Sequence, residues 1–124
     1  MFHDHTPLQV AGQLALAFAF LATGLRNAGW KFRQHAERMA AYRIPAPGLI
    51  LTLGFALQFT GAALLALDLS RTWGAALLIA FTVLASSIFH RWWLIPDPLL
   101  SHLHLSNLLV NAGIVGGLLL VAAI

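Results

Sequence analysis

Residues 48–67 read GLILTLGFALQFTGAALLAL, twenty residues without a charge among them. At about 1.5 Å of rise per residue a helix of this length covers about 30 Å, the thickness of a bilayer's hydrocarbon core. The stretch shows no strict alternation of polar and apolar residues, so it is not a barrel strand. In lipid the backbone must find its hydrogen bonds within its own segment, which a helix provides. Residues 8–25, 72–89 and 105–124 have the same uncharged character. The first of these is read as a span and not a signal peptide, because no basic residue precedes it and Arg26 and Asn27 follow it. The fold expected is all-α: a four-helix transmembrane bundle, with residues 1–124 forming a single integral-membrane domain.

Composition agrees. Of 124 residues, 60% are hydrophobic and 9% charged, and mean hydropathy is +0.82. Soluble domains carry about 25% charged residues, and so few charges could not cover a soluble globule of this size. A free cytosolic enzyme, a disordered linker and a nucleic-acid-binding module are thereby excluded. The chain contains no cysteine. That removes disulfides, thiolate nucleophiles, CxxC redox pairs and cysteine-ligated zinc or iron–sulfur clusters. Any electron transfer must therefore use a bound cofactor or a partner.

The basic residues give orientation. Arg26, Lys31, Arg33, Arg38, Arg43 and Arg91 fall in the loops 26–47 and 90–104, while Arg71 alone falls on the other side, with both termini. The positive-inside rule places the two basic loops in the cytoplasm and both termini outside. Within the first loop, residues 31–43 (KFRQHAERMAAYR) bring Phe32, Ala36, Met39 and Ala40 to one helical face, and Arg33 can pair with Glu37 four residues on. Pro45 and Pro47 stop this helix. The segment is expected to be a short amphipathic helix lying in the membrane interface, with a lid over a pocket as the alternative. The turn at 68–71 (DLSR) is short and makes the second and third spans antiparallel neighbours. Residues 95–98 (IPDP) are read as a helix-breaking turn.

Polar side chains inside apolar spans face the bundle or a cavity, because lipid exposure costs free energy. Thr82, Ser86 and His90 are spaced i, i+4, i+8, and His104, Asn107 and Asn111 are spaced i, i+3, i+7. The two stripes start at the same membrane face, where Arg26 and Asn27 also end the first span, and Asn111 lies about 10 Å deeper than His104. Gln58 lies near the middle of the second span. His90, Asn111, Arg26, Trp93, His104 and Asn107 are accordingly the candidate binding residues of a cytoplasmic-side pocket. An imidazole, an arginine, amides and indoles suit a quinone headgroup: each carbonyl needs a donor, the ring needs an apolar slot, and histidine can carry a proton near neutral pH. Blander roles stand beside this one. Ser and Thr can bond their own helix, Asn107 and Asn111 can join helices, and Trp92 and Trp93 fit an interfacial aromatic belt. A three-imidazole metal site from His90, His102 and His104 lacks a further ligand apart from Asp97, and no metal is assigned. A haem would need facing histidines deeper in the bundle. His3, Asp4 and His5 are read as a solvated terminus. Gly113 and Gly117 form a small-xxx-small pair, expected to pack inside the bundle, with a homo-oligomer seam as the alternative.

In order along the chain, residues 20–25 (FLATGL), 41–47 (AYRIPAP), the run around Gly61, Ser70 and Arg71, residues 74–78 (GAALL), 89–93 (FHRWW), Asn111 and 116–119 (GGLL) resemble the DoxX family of small four-span bacterial membrane proteins. His90 matches the family's FHxxW position and Asn111 its polar residue in the last span. Many members carry a glutamate in the second span; Gln58 stands at that place here, and an amide does not titrate. The resemblance implies a membrane redox setting, since the family's name comes from a subunit linked to thiosulfate:quinone oxidoreduction. Three functions are carried forward. One is a membrane subunit that binds quinone and passes electrons from a membrane or peripheral partner. The second is a non-catalytic anchor or assembly partner for a redox enzyme. The third is a small transporter, disfavoured because no span contains a charge.

Overall fold

The computed structural model describes residues 5–29 and 31–124; His3 and Asp4 lie outside them. Five α-helices form: α1 (Pro7–Gly29), α2 (Phe32–Ala41), α3 (Pro47–Ala66), α4 (Arg71–Phe89) and α5 (Pro98–Ala123), with a 3-10 turn at Trp92–Leu94. The described residues contain no strand. Four of these helices (α1, α3, α4 continued through the 3-10 turn, and α5) are long and apolar enough to cross a membrane. The chain is a four-helix transmembrane protein with a short helix between its first two spans, as its sequence predicts.

Local chemistry sets the helix ends. α2 and α3 both finish in a Schellman arrangement, which satisfies carbonyls the last turn leaves without partners. In α2, Ile44 N–H reaches Met39 O at 3.1 Å and Arg43 N–H reaches Ala40 O at 3.0 Å. In α3, Leu69 N–H reaches Leu64 O at 3.0 Å and Asp68 N–H reaches Leu65 O at 3.3 Å. Both motifs require a left-handed residue, and Arg43 (φ 61°) and Asp68 (φ 51°) supply it where glycine is usual. Ser70 then caps α4 by accepting from Trp73 N–H.

Two helices run further than expected. α1 continues to Gly29, so Arg26 and Asn27 sit in its last turns. α5 starts at Pro98, not at residue 105. The 95–98 stretch does turn the chain, but Asp97 accepts from Leu100 N–H and Pro98 occupies the first helical position, where its missing N–H costs nothing. His102 and His104 are therefore helical residues, not loop residues.

Around the bundle α1 packs on α3, α3 on α4, and α4 on α5, while α5 meets α1 only lightly. The tightest seam is α3–α4. A Cβ on Gly61 would lie 2.8 Å from Leu78 Cγ and 3.0 Å from Gly74 O, and one on Gly74 would lie 3.0 Å from Gly61 O. The two glycines let the backbones touch. One buried cluster (Ala17, Phe20, Ala62, Leu65, Ala75, Leu78, Leu118 and Val121) closes the end that bears the termini. Gln13, fully buried there, donates to Leu65 O at 2.9 Å and to Asp68 Oδ1 at 3.1 Å, and Asp68 also pairs with Arg71 at 3.7 Å. Arg71 also hydrogen-bonds the ring of His5. At the opposite end Met39 of α2 is buried with Leu51 and Phe55. Between these two clusters the helices leave a space.

Candidate functional site

That space is a cavity of about 420 Å³ at the centre of the bundle, walled by α1, α3, α4 and α5 and covered at one end by α2. Its volume lies in the range of small-molecule sites. Phe20, Phe55, Phe81 and Phe89 supply aromatic wall. The polar residues fall into an inner and an outer group. Thr82 and His90 both line the cavity, and eight residues of helix separate them by about 12 Å along the axis.

The inner group centres on Gln58. Gly24 of α1 leaves no side chain in its way: a Cβ there would lie 3.1 Å from Gln58 Cδ. Gln58 therefore lies flat against α1 and donates through Nε2 to Phe20 O (2.7 Å) and to Thr23 Oγ1 (3.2 Å). With the amide nitrogen so committed, Oε1 remains, buried and without a partner; the residue is 1% exposed. Thr82 Oγ1, on a residue 4% exposed, also lacks a partner. Buried polar atoms are satisfied in the great majority of cases, since an unpaired one costs about 1–3 kcal/mol. Both residues line the cavity, while the two oxygens themselves have almost no accessible surface.

The outer group holds most of the ionisable side chains. His90, which ends α4, and His104 of α5 meet with Nδ1 atoms 3.0 Å apart and ring centroids 5.3 Å apart. One nitrogen must hold the proton and the other accept it, so the neutral pair offers one N–H and one lone pair at its two Nε2 atoms. α2 adds His35 and Arg38 to the same wall. Both nitrogens of His35 are buried without a partner, and its ring meets the edge of Phe89 at 4.9 Å. Burial holds the His35 pKa below the usual histidine value, and the neighbouring Arg38 and Lys31 charges lower it further. Between the two groups Asn111 donates to the buried Ser86 Oγ at 2.9 Å, joining α5 to α4. The lining residues include one guanidinium and no carboxylate. Such a wall favours an electron-rich oxygen over a cation.

The structure thus brings together His90, His104 and Asn111, which line this cavity. Arg26 is exposed and Asn27, its neighbour, takes the place on the wall. Arg38 is the arginine that lines the space. Asn107 is exposed and absent from the wall, although it shares a face with Asn111. Trp93 is exposed and lines a second, largely apolar groove of about 440 Å³ between α4 and α5, which shares Thr82, His90 and Asn111 with the first. His102 is exposed. No group of three metal-ligating side chains occurs among the described residues. Gly113 has open space around its Cβ position, so it does not pack inside the bundle, whereas Gly117 lies against Leu16. The residues that sequence reasoning did not single out are His35 and Arg38. Their signal was the i, i+4, i+7 stripe of Lys31, His35 and Arg38, adjoining the apolar face of the short helix.

Four apolar crossing helices that enclose a polar-walled cavity define a small multi-pass membrane protein. Residues 9–91 match the DoxX family, and the chain belongs to it. The matched residues take in α1 to α4, so His104 and Asn111 lie beyond them. No curated protein and no solved structure matches the chain.

Proposed function

We propose that this DoxX protein holds a quinone headgroup in its central cavity and serves as the membrane subunit of a redox system. The observation that carries the reading is the pair of buried, partnerless atoms, Gln58 Oε1 and Thr82 Oγ1, on residues that line the cavity together with four phenyl side chains. A planar ring fits between phenyl side chains. The Thr82 hydroxyl can give a hydrogen bond to a quinone carbonyl or take one from a quinol hydroxyl, and Gln58 Oε1 can take one from a quinol hydroxyl. At the outer end Arg38 and the His90–His104 pair supply donors, and the imidazoles can exchange protons with the loop side. The chain has no cysteine, so electrons would reach the ring from a membrane or peripheral partner. The excess of Lys and Arg around α2 supports a cytoplasmic position for that end, in a bacterial inner membrane.

Titration of the purified protein with a soluble ring analogue, followed by quenching of tryptophan fluorescence, tests this. Saturable binding at one ring per chain is expected. The isosteric Thr82→Val change and His90→Ala should each weaken it by about tenfold, the equivalent of one buried hydrogen bond. Absence of saturable binding, or variants that bind as wild type, would count against the reading.

A further inference from the structure

On one flank of the cavity α1 and α5 touch only lightly. On α1, Leu16, Ala19 and Thr23 follow at helical steps toward α5. Leu16 lies against α5 at Gly117. Ala19 and Thr23, one and two turns further on, line the cavity and yet are exposed. On α5, Leu103, Asn107, Val110, Ile114, Gly117 and Val121 follow one another at steps of three and four and share one face. Val121 is buried and Ile114 lines the cavity, whereas Val110 is 61% exposed and Asn107 and Leu103 are exposed too. One face of α5 thus packs on α1 at the terminal end and stands free of it toward the α2 end. The two helices splay. α2 packs against α1, α3 and α4 but not α5, so it leaves this gap uncovered. The rim is also dressed for hydrocarbon: Thr23 donates its hydroxyl to Ala19 O at 2.8 Å, which hides the only hydroxyl on the α1 side.

We infer that the cavity is reached sideways from the bilayer, between Ala19 and Thr23 of α1 and Asn107 and Val110 of α5. Its ligand is a membrane-dissolved molecule whose ring lies inside while a hydrocarbon tail runs out through this gap into the lipid. The inference rests on the cavity being a ligand site and names the class of ligand as tailed. A water-soluble molecule of similar ring would need no such gap. Asn107 gains a position from this: it stands at the outer rim, where an amide can meet a headgroup or the first polar atom of an incoming ligand.

The experiment uses the whole chain reconstituted in bilayers and compares equilibrium binding of a tailless quinone ring with that of the same ring carrying a ten-carbon tail. Ala19→Trp and Val110→Trp place bulk in the gap; Leu53→Trp, on an exposed site of α3, is the control. The rim variants should weaken the tailed ligand by about tenfold or more and the tailless ring by less than about twofold, a difference of roughly 1 kcal/mol or more by the tenfold-per-1.4 kcal/mol relation. Leu53→Trp should change neither. Equal effects on both ligands, or none on either, overturn the side opening. A second readout needs no ligand. A spin label on Ala85→Cys, a cavity residue in a chain without native cysteine, should collide with lipid-dissolved oxygen, and Ala19→Trp should suppress the collisions. A label shielded from oxygen in the wild-type background overturns the inference even if rings bind. A label exposed to oxygen in a protein that binds no ring leaves the opening standing and rejects the quinone.

Discussion

Replacing Gln58 by leucine separates a ligand site from a structural tie. The amide makes two hydrogen bonds to α1, to Phe20 O and Thr23 Oγ1. Between membrane helices such bonds average about 0.6 kcal/mol each, so their loss removes roughly 1 kcal/mol. Neither partner is stranded: Phe20 O stays within the α1 helix, and Thr23 already donates to Ala19 O. Against this, the change deletes Oε1, which is buried without a partner, and relieves a penalty of about 1–3 kcal/mol. The empty Gln58→Leu protein should therefore be as stable as wild type or up to about 2 kcal/mol more stable. Quinol affinity should fall by about tenfold, because a quinol hydroxyl loses its acceptor, whereas the oxidised quinone, which has no hydrogen to donate, should bind as before. Reversible unfolding in mixed micelles reads the first quantity and fluorescence quenching the second. A variant destabilised by about 2 kcal/mol that keeps full quinol affinity would refute the reasoning and make Gln58 simple interhelical glue.

Gly61→Ala should destabilise the bundle by about 1–3 kcal/mol, since the new methyl would meet the fully buried Leu78 and the Gly74 carbonyl; a mixed-micelle unfolding curve checks it. Arg43→Gly should do the opposite at the end of α2, adding about 0.5–1 kcal/mol by placing glycine at φ 61°, seen as slower proteolysis of the 31–47 segment. The lowered His35 pKa means that the folded protein binds fewer protons than the unfolded chain as pH falls below about 6.5, so stability is complete above that value and declines on acidification. His35→Leu should flatten this part of the stability–pH curve; an unchanged slope would locate the effect elsewhere. Membrane-impermeant maleimide on intact cells should label Leu69→Cys but reach Arg33→Cys only after permeabilisation, and the reverse pattern would invert the proposed orientation.

The spans were legible because uncharged runs of 18–20 residues leave few alternatives in lipid. The start of α5 was not. Pro96 and Pro98 signal a break, yet Asp97 and Pro98 also form a strong helix start, and only the cap bond at Leu100 N–H decides between them. The stripe of His104 and Asn111 was readable from spacing, but Asn107 on the same face stays exposed because α1 and α5 splay, which periodicity on one helix cannot report. Nearness to the first span's end suggests Arg26 for the wall. Continued helix turns it outward and brings Asn27 inward. His35 and Arg38 sit on a short charged helix whose composition resembles any interfacial segment; what sets them apart is the packing of Met39, which turns their side chains over the cavity. The partnerless atoms of Gln58 and Thr82 are properties of three-dimensional packing alone.

Organic extraction of gently purified protein from its native membrane, with quantitation of isoprenoid quinone per chain, tests the central claim most directly. Near-stoichiometric quinone in wild type, falling several-fold in Thr82→Val at equal protein recovery, is the predicted result. Extracts with no more quinone than those of an unrelated four-span protein purified from the same membrane would contradict it.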